Sequence, residues 1–176
     1  RNDTVSHVSS PTGAAPISGA DGRDFGVSIS SGGDIAFGVQ NASGTAYTAC
    51  TSLFGDGVLD GLWHHVAVQR SSAGTLQVWV DGELAASGAG PSGDISYPDG
   101  VAGARATDPY LVIGAEKRDE GAGFPSYAGL VEEIRISTVL RYDATFTRPT
   151  EPFATDASTV GLYHLAWQVP RIEDLA

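Results

Sequence analysis

The chain has 176 residues, 41% apolar and 18% charged, which suits one ordinary domain and is too little for two comfortable ones. A net charge of −11, with Lys117 the single lysine among ten basic residues, repels phosphate backbones and sets nucleic-acid binding aside. No apolar run approaches the ~20 residues that cross a bilayer, and one cysteine, Cys50, excludes an internal disulfide and a cysteine-based zinc cluster.

Residues 1–24 are mostly Ser, Gly, Ala, Pro and Asp and read as loop. No stretch has the layout of a signal peptide, so an export signal is expected outside this chain. From Phe25 the apolar period is two. Phe25–Ile29 alternates, Ser31-Gly32-Gly33-Asp34 turns, and Ile35–Val39 alternates again, which is a hairpin pattern. A turn over Asn41 to Gly44 leads into a strand within Thr45–Ser52. Trp63–Gln69 and Leu76–Val80 read as a hairpin pair. Asp81-Gly82 then supplies the residues that a tight turn at positive φ prefers, before a strand over Glu83–Ser87. Residues 88–109 form a long loop, Leu111–Gly114 a strand, and residues 116–127 a second long loop. Gly129–Ser137 reads as one alternating strand, Thr138–Asp143 as a short helical turn, and Val160–Leu165 as the last strand. About eight short strands with turns every 8–12 residues predict an all-β sandwich or barrel. Loops as long as the two named here are more often functional than incidental.

Two segments go further than fold class. Asp60-Gly61-Leu62-Trp63-His64-His65-Val66-Ala67-Val68, continued by Leu76-Gln77-Val78-Trp79-Val80-Asp81-Gly82, resembles the hairpin of laminin-G-like, concanavalin A-like jelly-roll domains of bacterial extracellular proteins. Ala128–Ser137 is similar to their "G-x-I-D-E-V-R-I" strand, and Arg141–Pro149 with Pro152-Phe153 and Val160–Leu165 looks like their closing segment. The resemblance covers roughly residues 24–165. It implies an antiparallel β-sandwich of jelly-roll type over residues 1–165, with residues 166–176 as a C-terminal tail. Such domains open with strands that have no counterpart here, so the chain reads either as an incomplete or complemented domain or as a compact variant.

His64 and His65 look like a metal pair, but neighbours on a strand point to opposite faces, so both read as structural. Glu132 and Glu133 diverge for the same reason. Glycoside hydrolases of this fold need carboxylates on one face, in E-x-D-x-x-E or E-x-D-x-E spacing, and neither pattern occurs. G-x-S-x-G is absent too, so no enzyme is expected. Trp63 and Trp79 read as core or face-packing residues of the hairpin, and Cys50 as a buried small hydrophobe. The resemblance makes Glu132 the candidate ligand of a structural Ca2+; the competing reading pairs it with Arg135 or leaves it in water.

Aromatic residues amid charged ones on long loops fit a glycan or protein contact. On the first loop the candidates are Tyr97, Asp99, Arg105 and Asp108, with Tyr110 at its end. On the second they are Arg118, Asp119, Phe124 and Tyr127, beside Glu116 and Lys117. Trp167, outside the matched region, is the candidate interface anchor. The expected function is a non-catalytic, extracellular recognition module, secreted or at the cell surface, that binds a glycan or surface polysaccharide. The alternative is a structural or adhesive subunit that assembles with copies of itself or another chain through strand edges and the tail.

Overall fold

A computed structural model describes residues 24–43, 45–93, 95, 113–114 and 127–165. Three antiparallel sheets organise them. The first is a meander of β1 (Asp24–Ile29), β2 (Ile35–Gln40) and β3 (Ala46–Cys50), and the second a meander of β4 (Val66–Arg70), β5 (Thr75–Val80) and β6 (Glu83–Ala89). Strands β7 (Ile134–Ser137) and β8 (Thr159–Tyr163) form the third. The protein is an antiparallel β-sandwich.

The period of two builds its core directly. Ile35, Phe37 and Val39 of β2 all point inward and meet Leu76 and Val78 of β5, with Ala49 and Val58 completing the cluster. β3 and β6 approach closely enough that a Cβ on Gly88 would lie 3.4 Å from the Thr48 carbonyl oxygen. The alternation that buries Ala49 turns Cys50 outward. Cys50 is therefore exposed, not the buried hydrophobe the sequence suggested.

The other face of β4 and β5 is covered too. Ala67 pairs with Trp79 and Gln69 with Gln77, and this face meets the strap formed by residues 141–153. Gln69 behaves as a piece of borrowed backbone. Its Oε1 accepts the N–H groups of Arg141 (2.8 Å) and Tyr142 (3.1 Å), while its Nε2 donates to the Tyr142 carbonyl (2.6 Å) and to Gln77 Oε1 (3.0 Å). These bonds explain why Thr138–Asp143 is not the helical turn its sequence suggests. The backbone groups of 141 and 142 are satisfied sideways by Gln69, and the Thr138 N–H by the Ser158 carbonyl. Among the described residues, a 3-10 turn at Gly57–Leu59 is the only helical element.

Gly129–Ser137 is also shorter than expected as a strand. Glu133 takes φ +56, which stops the extended run before Ile134. Its carboxylate holds the bend, with Oε1 2.6 Å from His164 Nδ1 and Oε2 accepting the Phe153 N–H at 2.9 Å. Trp63–His65, expected inside a strand, lie just before β4.

Candidate functional site

Asp81 and Gly82 join β5 to β6 with φ values of +49 and +93, the left-handed pair that a two-residue hairpin turn requires. The Asp81 side chain gathers what lies around this turn. Its Oδ1 accepts the His65 N–H at 2.9 Å and lies 3.6 Å from Arg148 Nη1, while its Oδ2 is 2.6 Å from His64 Nδ1. The other nitrogen of His64, Nε2, is 3.0 Å from Asp60 Oδ1, which also accepts the Leu62 N–H at 2.8 Å. Carboxylate oxygens only accept, so His64 meets both partners as an imidazolium. Arg148 Nη1 donates to the Trp63 carbonyl at 2.7 Å. Four consecutive residues, Leu62 to His65, are thus held by polar side chains from three parts of the chain.

The two histidines diverge, as neighbours in extended chain must. His65 sits in an aromatic layer over β4 and β5, edge-on to Tyr142 (5.6 Å), Phe146 (5.4 Å) and Phe153 (6.3 Å). Tyr142 and Phe146 stack at 3.7 Å, Trp79 lies beside both, and the Arg135 guanidinium covers Phe153 at 4.2 Å. Trp79 is the face-packing residue its motif implied, only 2% exposed.

These environments push the pair apart. Burial works against the His64 charge, but the bonds and charges of Asp60 and Asp81 outweigh it and raise the pKa above the ordinary 6.5. Burial, aided by repulsion from Arg135 and opposed by Asp81, lowers His65 below 6.5. A raised value means extra protons bound in the folded state. The His64 contribution to stability is therefore complete below pH 6.5 and is lost as pH climbs through the raised value. The His65 contribution is complete above pH 6.5 and is lost as pH falls through the lowered one. Together they are expected to give a stability maximum near pH 6.5. Thermal melting across a pH series checks this, and His64→Gln should remove the alkaline decline alone.

Trp63 faces outward. At 46% exposed it is neither core nor covered face, contrary to the sequence expectation, because the chain around it is fixed through backbone groups and the neighbouring His64 ring. With Gly61, Ala128, Gly129 and Leu130 it lines an open depression of about 450 Å³. Tyr127, half-buried, backs this surface: a Cβ on Gly129 would lie 2.3 Å from its ring, and its N–H donates to the Gly114 carbonyl at 2.7 Å. Of the loop residues singled out from sequence, the structure places Tyr127 beside Gly129, a lining residue of the depression, but not in its lining. Tyr97, Asp99, Arg105, Asp108, Tyr110, Arg118, Asp119 and Phe124 lie outside the described residues, as does Trp167.

Glu132 is exposed. The carboxylate next to it, Glu133, is committed to His164 and Phe153, and Arg135 to the Phe153 ring. Among the described residues no group of three or more His, Cys, Asp or Glu side chains could hold a metal. Calcium at Glu132 is thus a proposal that rests on one carboxylate.

A family model described as the concanavalin A-like lectin/glucanases superfamily, of laminin G type, matches residues 5–144. The chain belongs to that superfamily. Its matched stretch contains the Asp60–Gly82 hairpin, the Asp81 turn and the depression. Two mammalian proteins are similar to this laminin-G-like domain. Both are named sushi, von Willebrand factor type A, EGF and pentraxin domain-containing protein 1. The one from Rattus norvegicus is 36% identical and the one from Mus musculus 35%, each over 83 residues, or 45% of this chain. The chain spans 2% of the length of either relative. No solved structure matches it. Laminin-G-like domains are generally binding modules, and no helix among the described residues is long and apolar enough to cross a membrane.

Proposed function

We propose that this domain is a non-catalytic, extracellular recognition module that binds carbohydrate, and that an uncharged sugar face docks on Trp63. The carrying observation is a half-exposed indole at the edge of an open depression whose other described lining residues are Gly61, Ala128, Gly129 and Leu130. The C–H face of a pyranose packs on an aromatic ring by dispersion and hydrophobic contact. Among the described residues no lining side chain carries a charge, and a net charge of −11 disfavours anionic sugars. The family supports a binding module placed outside the cell. A match to 2% of long relatives named for many domain types suits one module within a larger protein. The non-catalytic reading draws support from the missing paired-carboxylate strand pattern.

The test is retention of the purified protein on neutral polysaccharides, set against uronate and sulfated ones, with calcium and with chelator. Retention on the neutral set is expected, unaffected by salt, with the polysaccharide recovered uncut. Trp63→Ala should weaken it about tenfold or more, as loss of a central aromatic contact does. Loss of retention under chelator would bring Glu132 into the site. Failure to retain any polysaccharide, together with self-association that depends on Trp167, would favour the assembly reading instead.

A further inference from the structure

Trp63 is presented by a short loop with little apolar packing of its own, since Leu62 and Trp63 are both exposed. What fixes that loop is a chain of charges. Asp60 lies at its start, the His64 ring spans to Asp81 on the β5–β6 turn, and Arg148 on the strap bonds the Trp63 carbonyl. We infer that His64 is the positioning residue of the Trp63 surface: bridging Asp60 and Asp81, its ring locks the indole-bearing loop onto the turn, and losing its second proton releases that loop and weakens ligand capture. The inference rests on the reading of Trp63 as the docking surface.

The charged groups facing the bridge decide which end opens. From the loop comes Asp60, from the turn Asp81, and from the strap Arg148, 3.6 Å from Asp81 Oδ1. Glu83 on β6 is engaged with the Thr145 hydroxyl at 3.1 Å, and His65 points into the aromatic layer. A neutral His64 keeps one N–H. Asp81 retains the His65 N–H and Arg148 whichever nitrogen that hydrogen occupies. Asp60 has no second cation within ion-pair distance among the described residues, so its end of the bridge is the weaker. The same Asp60 oxygen holds the Leu62 N–H, one residue from the indole. Deprotonation therefore loosens the link between the loop and the turn at its Asp60 end first, while His65 and β4 stay in place.

A pH series on the whole chain tests this, with two readouts. One is affinity for the neutral polysaccharide retained best. The other is the Trp63 indole N–H resonance, identified by its disappearance in Trp63→Phe, which needs no ligand. Wild-type affinity is expected to fall as pH rises through the raised pKa of His64, by roughly fivefold at most, the range of a partly exposed ion pair. The Trp63 indole resonance should move with the same midpoint. His64→Gln should bind weakly at every pH and show neither transition. Asp60→Asn, at an exposed site that leaves the core untouched, should weaken binding at low pH and shrink the indole response. An indole resonance and an affinity that both stay flat while His64 titrates in folded protein would overturn the inference. So would a His64→Gln protein with full low-pH affinity. If no polysaccharide binds at any pH, the docking reading fails, and the indole titration alone then decides whether His64 positions Trp63.

Discussion

Trp79→Ala is expected to lower stability by about 3–5 kcal/mol, the range for removing a large aromatic side chain from a packed interior. The indole is 2% exposed on the strap-facing side of β5, tilted against Tyr142 at 6.2 Å and Phe146 at 6.0 Å. Without it the stacked pair loses its floor. A domain of ordinary stability, about 5–15 kcal/mol, would give up a large share of its margin. Trp79→Phe provides the control. Trp79 Nε1 is buried without a hydrogen-bond partner among the described residues, so phenylalanine removes an unsatisfied donor while keeping a ring in the layer. Its cost should be well under half that of alanine. Urea unfolding of the two variants checks both values, and a Trp79→Ala protein as stable as its parent would show that the aromatic layer does not hold the strap.

Gly82→Ala is the second change with a large expected effect. At φ +93 any side chain is strained. An added Cβ would also lie 1.8 Å from the Phe146 carbonyl oxygen, in a place where the Phe146 N–H donates to the Gly82 carbonyl at 3.0 Å. The strap must therefore move away from the turn, and a loss of more than about 2 kcal/mol is expected. Gly61→Ala separates strain from contact. Gly61 has φ +88 but, among the described residues, nothing within 4 Å of an added Cβ, so the difference between the two variants reads the contact. Because Arg148 follows Phe146 along the strap and bonds the Trp63 carbonyl, Gly82→Ala should weaken polysaccharide retention as well. Melting and retention measured on one preparation check both.

Much of the fold was legible because it depends on alternation within short stretches. Ile35, Phe37 and Val39 declare an inward face by themselves, and Asp81-Gly82 declares its turn. What escaped depends on partners far along the chain. Gln69 reads as an ordinary polar residue of a strand until residues 141 and 142 come back to it. Glu133 reads as one more member of an alternating run until His164 and the Phe153 N–H draw its backbone out of line. Trp63 belongs to a hairpin motif, and motif membership suggested packing; only its place before β4 shows that it faces water. Asp60, Asp81 and Arg148 read as turn, motif and closing-segment residues, with nothing to mark them as one cluster. The adjacency of an Asp to a Gly signalled a turn and hid that the same carboxylate ties three segments together.

The sheet formed by β4, β5 and β6 has consequences for the order in which the protein is made. Both meanders are local, and each can close soon after its own residues leave the ribosome. The strap that covers Trp79 and meets Gln69 begins only at residue 141. Until then the nascent chain carries a finished sheet with one face roofed by β1, β2 and β3 and the other bare, exposing an indole and a glutamine amide that still lacks its strap partners. Translation thus imposes a waiting period on the hairpin, and its length is set by the 60 or so residues between Val80 and Arg141.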